Sequence, residues 1–130
     1  ERLPEELQQR YRIHAYLHEE MPWALAAADL AVSRAGASTL GEFPAAGLPS
    51  ILVPYPYAAG HQERNANYMV ESGAAVKIKD GDLKTCLLPV VERLFADQEV
   101  LAQMARAARG LAQPQAAQRM VNELRALIND

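Results

Sequence analysis

The residues with the most to offer chemically fall in three short clusters. The first is Ser33-Arg34-Ala35-Gly36-Ala37-Ser38-Thr39-Leu40-Gly41-Glu42. Gly36 and its small neighbours leave room for a ligand to come against the backbone. A helix opening there offers free N–H groups and the positive end of its dipole to a phosphate, and the Ser38 and Thr39 hydroxyls add donors. This is not a Walker loop: Gly36 and Gly41 have the spacing, but Glu42 stands where Lys is required. Packing alone also selects a small-residue turn between a strand and a helix, so both readings stay open. Glu42 likewise has two. Thr39-x-x-Glu42 fits a capping box, whereas in a nucleotide site the carboxylate takes two hydrogen bonds from a ribose diol. Pro44 counts against the capping box, because inside a helix it removes a hydrogen bond. A helix starting one or two residues later suits Pro44 better.

The second cluster is His61-Gln62-Glu63-Arg64-Asn65-Ala66. Gln62 and Asn65 are three apart, so on a helix they share a face, and two amides there match the paired donors and acceptors of sugar hydroxyls. A solvated helix start would look the same. The third is Tyr16-Leu17-His18-Glu19-Glu20-Met21. The adjacent Glu pair suggests acid–base chemistry, but neighbours in sequence do not face each other on a helix and acidic residues are common in first turns. Leu17 and Met21 offer an apolar cradle for a base instead.

These clusters need elements to hold them. Arg12–Leu17 alternates and predicts a short strand. Asp29–Ser33 predicts a buried strand, Ser50–Pro54 a strand covered on both faces, and Ala74–Ile78 a last strand. Helices are expected over 21–28, from the first cluster to a Gly47-Leu48-Pro49 stop, and near 61–72, 84–96, 98–112 and 115–128. Strand and helix alternate about four times. The fold class is therefore α/β, a Rossmann-like parallel sheet of about four strands with helices on both faces. Ligands of such sheets bind beyond the carboxyl ends of the strands. The loops there are Leu17–Met21, Arg34–Glu42, Pro54–Gln62 and Lys79–Asp82, and the three clusters lie in them.

Composition sets outer limits. The chain has 130 residues, half of them hydrophobic and 22% charged, which suits one globular domain. Its formal charge of 13 − 16 = −3, with the positive residues scattered, gives no reason to expect nucleic acid. The single Cys86 cannot form an internal disulfide and has no Cys or His at metal-ligand spacing. It reads as a structural thiol, and a reducing compartment fits. No apolar run approaches the ~20 residues of a membrane span. No signal peptide is visible, and a start at Glu1 suggests a fragment.

At these same loops the chain resembles a known family. Leu30 through Thr39, then Glu42, then Ala45 through Pro56 look like the C-terminal domain of the MurG-type N-acetylglucosaminyltransferases of glycosyltransferase family 28. The likeness continues through His61-Gln62-x-x-Asn65-Ala66, Gly73-Ala74-Ala75 and Pro114-x-Ala116-Ala117-x-Arg119, in order and at consistent spacing, over about residues 12–125. The family adopts the GT-B architecture, two Rossmann-like domains facing a cleft. The resemblance implies that residues 1–130 are the part of such an enzyme that binds UDP-GlcNAc.

It also implies roles. Leu17 and the His18 backbone would hold uracil with Met21 nearby. Gly36, Ala37, Ser38 and Thr39 would meet the nucleotide and its diphosphate, and Glu42 the ribose hydroxyls. Gln62 and Asn65 would take the GlcNAc hydroxyls. Arg34 matches the family's arginine, with a structural role at the strand end equally open. No residue here is expected to be catalytic, because the general base belongs to the family's N-terminal domain. No cofactor or metal is implied beyond the substrate itself. The lipid-linked acceptor would be met by that N-terminal domain, and the parent enzyme would touch the inner face of the cell membrane from the cytoplasm. The family's first strands and Gly-rich GGSxG-type turn have no counterpart here, and Tyr57-Ala58-Ala59-Gly60 replaces a usually more polar stretch. Alternatives are a related UDP-sugar transferase with another acceptor, a non-catalytic nucleotide-sugar-binding subunit needing a partner, or a degenerate domain that assembles through its C-terminal helices.

Overall fold

The computed structural model describes residues 3–129. Three strands form one parallel sheet in the order β1-β2-β3: β1 Ala31–Ser33, β2 Ser50–Leu52 and β3 Ala75–Lys77. The register pairs Ala31 with Ser50 and Ser50 with Ala75. Among the described residues there are seven helices: α1 Glu5–Gln8, α2 Met21–Ala27, α3 Thr39–Ala46, α4 His61–Glu71, α5 Leu83–Ala96, α6 Gln98–Leu111 and α7 Ala116–Asn129. A 3-10 turn covers Asp80–Asp82. Helices α3 and α4 are the crossovers between parallel neighbours. No helix among the described residues is long and apolar enough to cross a membrane.

The α/β class and the two covered faces hold. Along β2 the side chains alternate between two cores, as the period of a strand requires. Leu52 packs with Phe43 of α3, Ala66 and Met69 of α4 and Ala108 of α6. Ile51 and Val53 pack with Leu94 of α5 and with Leu101 and Met104 of α6. Helix α6 therefore contributes to both cores. Its start is fixed by Asp97, whose Oδ1 accepts from the Glu99 and Val100 amides at 3.1 and 3.2 Å. In the same turn Glu99 is held below the ordinary carboxylate range, first by its hydrogen bond from Arg106 and then by that from Gln103.

The strand count is three, not about four. Residues 12–17 form no strand: they run as exposed irregular chain, with Ile13 80% exposed. Alternation supplies the period of a strand, but a strand exists only when its backbone groups find partners, and β1 pairs only with β2. As an edge strand β1 is also less buried than expected, with Val32 half exposed. Cys86 lies exposed on α5 rather than in a core.

Two glycines stop the crossover helices. After α3, Gly47 adopts φ +65°, the Leu48 amide donates to the Phe43 carbonyl at 2.9 Å and the Gly47 amide to the Pro44 carbonyl at 3.0 Å. This is a Schellman closure. Gly73 (φ +78°) repeats it after α4, with Ala74 donating to Met69 and Gly73 to Val70. A Cβ at Gly47 would lie 2.6 Å from Arg109 Cγ, whereas at Gly73 the nearest atom is Ala107 Cβ at 3.7 Å. Both Ala substitutions place a Cβ in the left-handed region, costing about 1 kcal/mol. Gly47→Ala must also displace Arg109. Urea denaturation is expected to show Gly47→Ala losing about 1–2 kcal/mol and Gly73→Ala the smaller amount. Equal losses would mean that Arg109 swings away at no cost.

Candidate functional site

The carboxyl ends of β1 and β2 open into the loops that carry the first two clusters. The turn after β1 runs straight into α3, and Ser38 caps it without a side-chain hydrogen bond. The carbonyls of Ala37 and Ser38 accept from Leu40, Gly41 and Glu42. The Ala37, Ser38 and Thr39 amides precede the first intrahelical donor, so they are the orphan donors of the helix start. A Cβ built at Gly36 meets nothing within 4 Å, and its φ is not left-handed. Neither backbone conformation nor packing demands a glycine there. A side chain there would project into open space.

The Thr39–Glu42 capping box does not form. Thr39 is buried, and its Oγ1 donates to the Arg34 carbonyl at 3.1 Å, which ties the helix start back to the end of β1. Helix α3 begins at Thr39 and contains Pro44, contrary to the later start that Pro44 suggested. Pro44 is among the fully buried side chains. Its burial offsets the single hydrogen bond that the ring removes from a helix of only 8 residues.

Glu42, freed from capping, is exposed and faces an open groove of about 510 Å³ together with His18, Met21, Leu25, Ala45 and Ala46. One wall is α2, whose first residue is Met21, and the other is the exposed side of α3. The His18 ring lies 4.6 Å from that of Tyr16. Leu17 is half-buried just before it. A largely apolar groove with one carboxylate in its lining suits a heteroaromatic ring joined to a diol. Another hollow, of about 590 Å³, lies between the start of β3, α5 and α6. It is slightly larger but holds no residue of the three clusters, whereas the groove holds His18, Met21 and Glu42, so chemistry rather than volume chooses between them.

The second cluster is knitted to the first. Asn65 Nδ2 donates to the Ala35 carbonyl at 2.9 Å, so the start of α4 holds the turn after β1. Gln62 Oε1 accepts from the Tyr55 amide at 2.9 Å and shapes the loop after β2. Each amide thus has one atom committed to the scaffold, while Gln62 Nε2 and Asn65 Oδ1 have no protein partner among the described residues. His61 Nδ1 lies 2.8 Å from Arg64 Nη2.

Arg34 is placed as a cross-tie. Its Nη1 donates to the carbonyls of Val53 and Pro54, at 3.2 and 3.5 Å, and pairs with Asp80 at 2.5 Å. Its guanidinium stands 5.5 Å from the centroid of the Tyr55 ring. One side chain thereby links the carboxyl ends of all three strands. The pair with Asp80 is half-exposed, so its worth is geometric more than energetic. Tyr55, Asp80 and the Ala35 carbonyl were not singled out in the sequence. Tyr55 and Asp80 do lie in the third and fourth strand-end loops, which was the only signal available. The predicted residues therefore fall into two groups, His18, Met21 and Glu42 in the groove and Arg34, Thr39, Gln62 and Asn65 at the strand ends, with Gly36, Ala37 and Ser38 in the turn between Arg34 and Thr39, and α3 joins Thr39 to Glu42.

Comparison with known proteins identifies the family. Residues 2–120 match the family model described as the glycosyltransferase family 28 C-terminal domain. A Roseiflexus sp. (strain RS-1) protein named UDP-N-acetylglucosamine--N-acetylmuramyl-(pentapeptide) pyrophosphoryl-undecaprenol N-acetylglucosamine transferase is 47% identical, over 97% of this chain and 33% of its own length. A protein of the same name from Desulfitobacterium hafniense (strain Y51) is 50% identical, over 88% of this chain and 31% of its own. The crystal structure of Acinetobacter baumannii MurG superposes with a TM-score of 0.76 at 33% identity, covering 85% of this chain and 32% of that one. The chain spans about a third of the length of the curated relatives it matches.

Proposed function

The chain belongs to the glycosyltransferase family 28 C-terminal domain family, and from that premise we propose that it is the UDP-GlcNAc-binding part of an N-acetylglucosaminyltransferase of peptidoglycan synthesis. The observation that carries the reading is the juxtaposition of Glu42 with His18 and Met21 in one groove, a single helical turn from the orphan amides of Ala37, Ser38 and Thr39. Uracil lies in the apolar slot against Leu17, the His18 backbone and Met21. Glu42 accepts from the ribose hydroxyls. The diphosphate rests on the amides that Gly36 leaves uncovered, with the Ser38 hydroxyl beside them. Thr39 serves through its amide, because its hydroxyl is engaged with Arg34. Gln62 Nε2 and Asn65 Oδ1 reach the GlcNAc hydroxyls. Arg34 holds the three strand ends in register rather than touching phosphate.

In the reaction of the whole enzyme, the 4-hydroxyl of the lipid-linked N-acetylmuramoyl acceptor attacks the anomeric carbon of GlcNAc. The new C–O bond forms as the bond to the diphosphate oxygen breaks, so configuration inverts and UDP leaves. A base outside this chain takes the hydroxyl proton. This chain's contribution is to preorganise the α3 amides around the diphosphate, whose charge grows in the transition state. Acceptor and membrane surface, at the cytoplasmic face, belong to the rest of the enzyme. Thermal melts test the reading. UDP-GlcNAc at a hundredfold excess over its Kd is expected to stabilise the chain by about 2.7 kcal/mol, with ADP-GlcNAc giving far less and the chain transferring no sugar on its own. Equal shifts from both nucleotides, or no shift from UDP-GlcNAc, would overturn it.

A further inference from the structure

The loop after β2 carries a feature that the residues above do not use. Tyr57 is 83% exposed, and Tyr55 is 47% exposed. Neither ring is loose on the surface. The two centroids are 5.5 Å apart with the planes at 68°, an edge-to-face contact. Behind Tyr55 stands the Arg34 guanidinium, itself pinned by two β2-end carbonyls and Asp80. Tyr57 is therefore the outer member of a buttressed series, Arg34 to Tyr55 to Tyr57. The Tyr55 amide is also held by Gln62 Oε1, which ties the start of α4 to the residue that carries the inner ring and leaves Gln62 Nε2 uncommitted.

The backbone beyond Tyr57 passes through the left-handed region. Ala59 has φ +47° and Gly60 φ +75°. A left-handed non-glycine costs about 1 kcal/mol or more and persists where the surroundings demand it. Keeping a large aromatic ring in water on this loop gains nothing for the fold, since Tyr57 packs into neither core. It does gain something if a flat apolar surface is needed there. A gluco-configured hexose, with its ring substituents mostly equatorial, presents a face of axial C–H bonds that suits an aromatic ring, while its rim of hydroxyls suits amides.

We infer that Tyr57 is a stacking platform for the hexose ring of the donor, acting with Gln62 so that ring face and hydroxyl rim are read together. This rests on the uridine-diphosphate reading above and adds to it the residue that senses the sugar. UDP and UDP-GlcNAc separate the two. In titration calorimetry, Tyr57→Ala is expected to weaken UDP-GlcNAc about five- to tenfold while UDP affinity stays within twofold, and Tyr57→Phe, which keeps the ring, is expected to restore wild-type binding of both. Unchanged UDP affinity in Tyr57→Ala also reports that the domain remains folded. Unaltered UDP-GlcNAc affinity in Tyr57→Ala, an equal loss for UDP, or no rescue by Phe overturns the platform and leaves the nucleotide site standing. A wild-type chain that binds neither ligand removes the nucleotide site and the platform with it.

Discussion

Asn65→Asp is expected to weaken UDP-GlcNAc binding about tenfold or more and to lower the stability of the domain by about 1–3 kcal/mol. The two side chains are nearly the same shape, so packing is preserved. What changes is the group facing the Ala35 carbonyl. Asn65 Nδ2 donates to that oxygen at 2.9 Å, and Ala35 is fully buried. A carboxylate has no proton to give, so the carbonyl loses its donor and faces a negative oxygen instead. The turn between β1 and α3 then loses the tie that fixes it against α4, and the orphan amides it carries lose their alignment. Calorimetry together with urea denaturation checks both halves. Full affinity in the Asn65→Asp variant would mean that the turn is held by Thr39 and the sheet alone, and that the Asn65 contact is incidental.

Glu42→Ala is expected to behave differently, leaving stability unchanged and removing affinity. Glu42 is exposed, caps nothing and packs in no core. Hydrogen bonds to a charged acceptor contribute about 1.5–3 kcal/mol each when formed in a shielded site. At the open rim of this groove the lower end applies, so UDP affinity should fall about ten- to a hundredfold. A nucleotide lacking the 2′-hydroxyl makes the test specific. If the carboxylate grips the ribose diol, the deoxy analogue should bind the wild type poorly and should lose little more on Glu42→Ala, the non-additive pattern of two groups that touch. Additive losses would remove the ribose contact. An unchanged UDP affinity would favour a domain that has lost its ligand.

Much of this arrangement could be read from the residues. The fully buried β2 follows from an unbroken apolar run, and the stop after α3 from the Gly47-Leu48-Pro49 signal, whereas the matching left-handed stop at Gly73 was not singled out. The first two clusters could be placed at the strand ends because parallel topology sends every such loop to one edge of the sheet, whereas the third was assigned to the end of a strand that does not form. The limits are equally physical. Alternation in residues 12–17 shows what a strand would do with its side chains, but not whether a neighbouring backbone exists to pair with it. Pro44 looked like a helix breaker, and nothing local reveals that its ring would be buried deeply enough to be kept. The largest gap concerns which atoms of a polar side chain are free. Gln62, Asn65 and Thr39 were legible as site residues, but half of their hydrogen-bonding capacity is spent on Tyr55, Ala35 and Arg34. Those acceptors and donors are backbone groups, which carry no signature in a sequence.

The shared helix α6 has a consequence for how the domain comes apart. Ala108 belongs to the core beneath α3 and α4, and Leu101 and Met104 to the core beneath α5. Losing either layer therefore dislodges the same helix and exposes the other layer. The two sides of the sheet are therefore expected to open as one cooperative unit, with amide protons on both exchanging together. Its C-terminal neighbour α7, exposed over residues 116–128, is left out of that unit and can fray while the ligand-binding edge remains intact.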